Sequence, residues 1–219
     1  SEIHIDLGPE MCDKKHVPGH TCRVNGDCAR FIELWNLVFI QYNRLEQGKL
    51  VSLGANYIDT GAGLERLVAV LQDKRSNYDT DLFMPIIHNL ETMSGQKYTS
   101  KLNVETDNAF RVIADHIRSL AFAITDGASP SNEGRGYVIR RILRRASRFG
   151  RVLGMNEPFM YKIVPTVIDV MGDAFEEIKQ RQDYVSTVIE SEESSFGRTI
   201  DRGIEIFNAA ASQAPNDPK

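Results

Sequence analysis

The chain has 219 residues, of which 42% are hydrophobic and 26% are charged, a composition typical of a globular protein with one large core or two small ones. It contains no apolar run near the ~20 residues that span a bilayer, and its N-terminus lacks the basic and apolar regions of a secretory signal, so we expect a cytoplasmic protein without a membrane segment. The formal net charge is -4, but the segment from Pro130 to Arg151 contains seven arginines and one acid, so positive charge is concentrated there.

The first eight residues alternate apolar Ile3, Ile5 and Leu7 with polar side chains, a period of two that predicts a half-buried strand. The chain starts at Ser1, without a methionine and within this strand pattern. We therefore expect a piece of a longer polypeptide.

A segment rich in cysteine and histidine follows the first strand and contains almost no apolar side chain. A tetrahedral zinc ion held by three thiolates and one imidazole would order such a loop, because burial alone cannot. The spacing matches no standard zinc motif, so an exposed loop with reduced thiols remains an equal alternative, whereas a disulfide is disfavoured in a reducing compartment. The candidate ligands are Cys12, Cys22, Cys28 and one histidine, with His20 preferred to His16.

Two further strands are predicted, at 31–43 and 50–58. The first is apolar on both faces, so we expect a central strand that is covered on both sides. Asn36 interrupts this pattern on the same side as Val38 and Ile40, and a buried amide needs a partner, either backbone or substrate.

The stretch Asp59–Arg66 reads DTGAGLER and predicts a loop that leads into an amphipathic helix. Its two glycines, Gly61 and Gly63, allow positive φ and the close approach of a ligand. Asp59 and Arg66 can then face one concavity that suits a ligand with an amine and phosphates. A plain helix-entry turn is the alternative, because short glycine motifs are common.

The rest of the chain has helical periodicity, and we place a domain boundary near Ser76. A helix with Pro85 in its first turn ends at Gly95, and a second ends at Asp126-Gly127. Residues 157–211 are also expected to be helical, with a frayed tail at 215–219. The apolar stripe of the second helix consists of Phe110, Ile113, Ile117, Leu120 and Ile124.

The segment 130–151 predicts a turn followed by an arginine-rich helix, whose apolar side we assign to Val138, Ile142, Ala146 and Phe149. Arginines at positions 140, 144, 148 and 151 fall on one stripe of that helix, a charge pattern that a polyanion would neutralise. The alternative is pairing with the acidic runs downstream, such as ESEESS at 190–195.

Four stretches together resemble the alanyl-tRNA synthetase family, and the resemblance extends over nearly the whole chain. They are DTGAGLER, Trp35-Asn36, ADHIRSLAF at 114–122 and PSNEGRGYVIRRILRR at 130–145. In that family the first is the third signature motif of the class II fold, with methionine more common where Ala62 stands. The resemblance implies an α+β chain. Residues 1–75 would form the C-terminal part of the antiparallel catalytic sheet, and residues 76–219 an incomplete α-helical tRNA-recognition domain.

The resemblance also implies the reaction, which activates alanine with ATP and Mg²⁺ to alanyl-adenylate and then transfers alanine to the 3′ end of tRNA(Ala). No nucleophile is implied, any zinc would be structural and the fragment alone is expected to be inactive. Asn132 is implicated in reading the G:U pair of the tRNA acceptor stem. The implied contacts are Leu34, Trp35, Asn36, Gly63 and Arg66 for ATP; Asn36, Val38, Asp59 and Gly61 for alanine; and Asn132, Arg140, Arg141, Arg144, Arg145 and Arg148 for tRNA.

Two other classes of function are weighed against this one. A non-catalytic RNA-binding module would keep the arginine helix but would be expected to lose some of the set Asn36, Asp59, Gly61, Gly63 and Arg66, all of which are present. A dinucleotide-binding domain is disfavoured because the third glycine of its motif and repeated βαβ units are missing.

Overall fold

A computed structural model of the chain describes residues 1–213, which divide into two compact units. The first unit comprises Ser1–Asn77, and the second begins at Tyr78. The tail predicted at 215–219 lies outside the described residues. Within the described residues, no helix combines the length and the apolar character needed to cross a membrane.

The first unit contains a three-stranded antiparallel sheet in the order β1-β2-β3, followed by a short helix, α1. This confirms the predicted strands and the antiparallel α+β character. The elements are β1 (Glu2–Asp6), β2 (Phe31–Arg44), β3 (Leu50–Ala62) and α1 (Leu64–Leu71).

The expectation that β2 is covered on both sides is wrong for this structure. Phe39 and Tyr42 are 57% and 56% exposed, and the side chains of Val38 and Ile40 are exposed as well. β2 does lie in the centre of the sheet, so its edges are paired. Its faces stay open because the described part of the first unit provides one short helix and no second layer over the strand.

The second unit is helical and is built around one apolar core. The predicted helix with Pro85 in its first turn is confirmed, and it ends at Gly95 in the left-handed conformation, with φ of 70°. All five apolar residues of the stripe predicted for the next helix are fully buried. The described helices are α2 (Met84–Ser94), α3 (Glu105–Thr125), α4 (Gly134–Val152), α5 (Val164–Met171), α6 (Glu176–Gln180) and α7 (Gln182–Gln213), with a 3-10 turn at Met160–Ile163.

The buried side of α4 differs in part from the predicted one. Ala146 is buried as predicted and Ile142 and Phe149 are partly buried, but Val138 is 53% exposed. The other buried residues are Ile139, Leu143 and Gly150. Gly150 explains the difference, because a Cβ there would collide with the ring of Phe159. The absence of a side chain lets the ring pack directly on the helix backbone, and the buried face follows the line that leads to Gly150.

Candidate functional site

Two cross-strand pairs bring the predicted alanine-binding residues together on one face of the sheet. Asn36 lies opposite Gly61, and Val38 lies opposite Asp59. Because side chains alternate along a strand, all four positions share that face. Glu2 of β1 also lies opposite Asn36 and accepts a long hydrogen bond of 3.4 Å from its Nδ2. The face therefore combines an amide and two carboxylates with the open surface beside Gly61.

The glycines of this motif do not adopt the positive φ expected from the sequence. β3 continues through Asp59 and Gly61 to Ala62, so this part of the motif is strand rather than loop. Gly63 caps α1 with φ of -77°. A Cβ at Gly61 would meet no atom within 4 Å, so the missing side chain leaves space above the sheet.

Arg66 lies in the first turn of α1 and contacts the backbone of β2. Its Nη1 donates a 2.8 Å hydrogen bond to the backbone oxygen of Glu33. A Cβ at Gly63 would lie 3.3 Å from Cδ of Arg66, which is tighter than an ordinary contact. Gly63 therefore has a packing role, because it gives the arginine stem room to lie across the strand end.

The residues predicted to contact ATP do not all share one face. Trp35 alternates with Asn36 and lies on the opposite side of the sheet, where its Nε1 donates a 2.5 Å hydrogen bond to Thr60. Leu34 lies at a bulge, where the pairing of β2 with β1 shifts by one residue. Asn36 is half-buried on the face of the alanine candidates, Arg66 is exposed, and the Trp35 indole links β2 to β3. The ATP contacts stay predictions.

The three cysteines and one histidine form a compact group. The ligand atoms of Cys12, His20, Cys22 and Cys28 all lie within 4.8 Å of one another, and His16 is not among them. Cys12 is buried, and burial together with the neighbouring Cys22 raises the pKa of its thiol to about 11. Three thiolates and one imidazole form a usual tetrahedral zinc set, in which Zn–S bonds of ~2.3 Å place sulfurs just under 4 Å apart. The donor set and its dimensions therefore fit a zinc ion.

Ion pairs also order the loop that carries this group. Arg30 donates to both carboxylate oxygens of Asp6, at 2.7 and 2.6 Å, and closes the two ends of the loop. Hydrogen bonds from Arg30 and from the amide of Gly8 lower the pKa of Asp6 to about 2. Within the loop, Lys14 contacts Asp27 at 2.7 Å. The loop thus enters and leaves the sheet at a fixed separation.

The turn before α4 is held by its own backbone and by Ser131. The amide of Ser131 donates to the oxygen of Gly136 at 3.0 Å, and its hydroxyl donates to the oxygen of Glu133 at 2.8 Å. A side chain at Gly136 would collide with the backbone of Ser129 and with the Ser131 hydroxyl. The backbone beside the exposed Asn132 is therefore closely constrained.

Three arginines of the predicted stripe pair with downstream acids, as in the alternative given above. Glu192 of α7 accepts a 2.8 Å hydrogen bond from Arg144 and lies 3.1 Å from Nε of Arg140. Arg151 donates to Asp201 at 2.7 Å. The predicted RNA contacts at Arg140 and Arg144 thus already have a carboxylate partner in this structure.

The other predicted RNA-binding arginines are exposed along a groove. Arg141, Arg145 and Arg148 line a cavity of about 1250 Å³ between α4 and its neighbours, together with Phe149 and Phe196. Arg145 lies 5.9 Å from the ring centroid of Phe149. A groove with several exposed arginines beside aromatic side chains is a surface that attracts polyanions.

The sequence matches a family model described as tRNA synthetases class II (A) over residues 1–219. The chain belongs to the class II tRNA synthetases. It is similar to proteins named alanine–tRNA ligase, with 52% identity over 208 residues to that of Chlorobium phaeovibrioides, 51% over 210 to that of Lawsonia intracellularis and 47% over 221 to that of Exiguobacterium sibiricum. These matches cover 95%, 95% and 99% of the chain, which spans only about a quarter of each relative. The family resemblance stated from the sequence is thus confirmed.

Sequence reasoning missed individual roles of two adjacent acids in this class II synthetase chain. Glu192 bridges Arg140 and Arg144, whereas Glu193 points into the core and accepts hydrogen bonds from the amides of Phe159 and Met160 at 3.1 and 3.0 Å. Burial raises the pKa of Glu193 to about 7. The signal was the pair of adjacent acids within an amphipathic helix, but one residue of helix rotation decides which of the two faces inward.

Proposed function

We propose that the chain is the part of an alanine–tRNA ligase that binds alanine and ATP and presents an arginine helix to the tRNA acceptor stem. In this reaction the alanine carboxylate attacks the α-phosphorus of ATP and releases pyrophosphate, and a ribose hydroxyl of the tRNA then attacks the alanyl carbonyl and releases AMP. The observation that carries the proposal is the pairing of Asn36 with Gly61 and of Val38 with Asp59 on one open sheet face. We also propose a cytoplasmic location for this activity.

The alanine-binding role follows from the chemistry of this face. The exposed Asp59 carboxylate is a partner for the ammonium group of alanine, and Val38 directly opposite supplies an apolar surface for a small methyl group. Gly61 leaves the space that the amino acid needs. Asn36 has both donors and an acceptor, which suit the substrate carboxylate and the nucleotide.

The ATP role rests on Arg66, which contacts β2 three residues before Asn36. Its guanidinium is anchored by one hydrogen bond to Glu33 and keeps further N–H groups for phosphate oxygens. Mg²⁺ bound with ATP would neutralise phosphate charge during adenylate formation. Catalysis of this kind depends on positioning and electrostatics, which agrees with a face that combines charged and amide groups.

The test is Asp59→Asn in a chimaera in which this chain replaces the matching segment of the Chlorobium phaeovibrioides ligase. We expect the KM for alanine to rise by about one to two decades, because a charge-assisted hydrogen bond is worth roughly 1.5 to 3 kcal/mol. The KM for ATP should change little. Asp73→Asn, at another exposed acid of the first unit, is the control. Equal increases in both KM values would show that Asp59 only supports the strand.

We further propose that Cys12, His20, Cys22 and Cys28 bind one structural zinc ion, because their donor atoms lie within 4.8 Å of one another. Purified chain should contain about one zinc per molecule, and Cys28→Ser should lose it. His16→Ala should keep it, because that histidine is outside the group. A zinc content near zero with three titratable thiols would refute this proposal.

For tRNA, we propose that the exposed Arg141, Arg145 and Arg148 neutralise phosphates while Asn132 reads the acceptor-stem base pair. Phosphate contacts make binding salt-dependent and carry no sequence information, whereas a side-chain amide reads base edges. Binding of the chain to a short RNA hairpin should therefore weaken steeply with salt. A salt-independent affinity would refute the phosphate role.

A further inference from the structure

A chain of polar contacts connects the loop before α4 to the middle of α7. Arg140 Nη1 donates a hydrogen bond to Oδ1 of Asn132, and Nε of the same guanidinium lies 3.1 Å from Glu192. This second contact is an ion pair without a well-aligned hydrogen bond. Glu192 also binds Arg144, and its side chain is only 10% exposed. A largely buried acid thus anchors the arginine that touches Asn132.

The chemistry of this contact fixes the orientation of the Asn132 amide. A guanidinium has donors only, so its partner on an asparagine must be the oxygen and never the amino group. Because Arg140 occupies the side of Oδ1, the Nδ2 amino group of the exposed Asn132 points away from the arginine. Asn132 therefore offers donors to an incoming molecule.

The backbone of the same loop is restrained independently. The Ser131 amide is bonded to Gly136, and a side chain at Gly136 has no room. The Ser129 hydroxyl lies 3.1 Å from the Tyr184 hydroxyl of α7. Backbone position and side-chain orientation are thus set by different contacts, so the second can be removed without the first.

We propose that Arg140 and Glu192 are positioning residues that hold Asn132 as a hydrogen-bond donor toward the minor-groove edge of an RNA base pair. The inference rests on the proposed tRNA-reading role of Asn132. The acceptors on that edge are pyrimidine O2 and purine N3, and wobble pairing displaces the pyrimidine O2 from its place in a Watson–Crick pair. An amide with a fixed donor direction can distinguish G:U from G:C, whereas a freely rotating amide adapts to both. The specificity of Asn132 therefore depends on two residues that do not touch the base.

A measurement without RNA tests the contact itself. The side-chain amide NH₂ signals of Asn132 in a ¹⁵N-labelled chain are identified by their loss in Asn132→Ala. Arg140→Gln should move these signals toward those of a solvent-exposed asparagine. Arg148→Gln removes an equal charge from an exposed site of the same helix and should leave them in place. Unchanged signals in Arg140→Gln would overturn the positioning role, whatever the chain binds.

The RNA measurement compares the same two variants on hairpins that differ only in one G:U or G:C pair. Both substitutions should weaken binding to the two hairpins, because each removes one positive charge. Arg148→Gln should keep the preference for G:U, whereas Arg140→Gln should lose it, as Asn132→Ala does. One lost base contact of this kind changes the preference by roughly tenfold.

Glu192 gives a test in which affinity and preference change in opposite directions. Glu192→Gln removes a negative charge near the arginines, so both hairpins should bind more tightly, while the weaker hold on Arg140 lowers the G:U preference. Glu190→Gln removes the same charge from an exposed position on α7 and should tighten binding without changing the preference. General damage to the fold would lower affinity and cannot produce this pattern.

The outcomes separate the inference from the proposed function. If Asn132→Ala loses the preference while Arg140→Gln and Glu192→Gln keep it, the positioning role is refuted and the reading role stands. If the wild-type chain binds both hairpins equally, or Asn132→Ala keeps the preference, the reading role itself is wrong and the specificity inference fails with it.

Discussion

Glu193 is a buried carboxyl group whose ionisation the fold opposes, and its replacement by glutamine is expected to change how stability depends on pH. Its side chain reaches the start of the 3-10 turn at Met160–Ile163, where Oε2 accepts hydrogen bonds from the backbone amides of Phe159 and Met160. Glutamine has the same shape and one carbonyl oxygen, so it can accept the same two hydrogen bonds. Glu193→Gln thus removes the titration and keeps the capping contact.

The magnitude follows from the pKa of the folded state. Burial raises the pKa of Glu193 from 4.5 to about 7, against the opposing effect of its backbone hydrogen bonds. Below the unfolded-state pKa the carboxyl is protonated in both the folded and the unfolded state, so its burial carries no ionisation penalty. As pH rises from about 4.5 through 7, the unfolded state ionises first, so the native state loses stability. At 1.36 kcal/mol per pKa unit, the loss is about 3 kcal/mol.

Urea unfolding followed by far-UV circular dichroism measures this effect, because the helices lie mostly in the second unit. The variant and wild type should have similar free energies of unfolding near pH 4.5, and by pH 8 the variant should be more stable by about 3 kcal/mol. Glu205→Gln, at an exposed position of the same helix, should keep the wild-type pH dependence. A constant difference between Glu193→Gln and wild type from pH 4.5 to 8 would refute the reasoning.

Two further predictions concern packing and the cysteine loop. Gly150→Ala should destabilise the second unit by about 1 to 3 kcal/mol, because the new Cβ meets the ring of Phe159. Gly197→Ala should stabilise α7 by up to ~1 kcal/mol, because a Cβ there meets no atom within 4 Å. Urea unfolding of both variants measures the two effects, and equal effects would contradict the prediction. Hydrogen bonds lower the pKa of Asp6 to about 2, so the stability that its carboxylate contributes is present above pH ~4 and is lost as pH falls toward 2. Arg30→Gln should therefore move the acid unfolding transition, followed by the fluorescence of the single tryptophan, to higher pH. An unchanged midpoint would show that the Arg30–Asp6 ion pair does not set this transition.

Periodicity predicted the elements of this fold well because it reports which face of a local segment is apolar. The alternation around Asn36 and Val38 placed both on one side of β2, and the paired register of β3 agrees. Periodicity was less accurate where a contact between different elements decides which side is buried. The buried side of α4 includes Gly150 because the ring of Phe159, nine residues further along the chain, packs against the backbone where Gly150 has no side chain.

The candidate site was predictable in its residues and less so in its geometry. A glycine pair suggests positive φ, but a strand that remains paired as far as Ala62 keeps Gly61 extended. The sequence does not specify where a ladder of hydrogen bonds stops. Likewise, an acidic run downstream of an arginine-rich helix indicates that ion pairs form between them. It does not indicate which acid pairs with which arginine, such as Glu192 with Arg140.

The adjacent acids of α7 restrict how that helix can move. Consecutive side chains on a helix point about 100° apart, so Glu192 meets the arginines of α4 while Glu193 meets the amides at Phe159 and Met160. Turning α7 about its axis by one residue would bring the buried carboxyl toward the arginines and leave two amides without an acceptor. Rotation is therefore opposed by both contacts at once. Any rearrangement of this region should therefore move α4 and α7 together, along with the loop that carries Asn132.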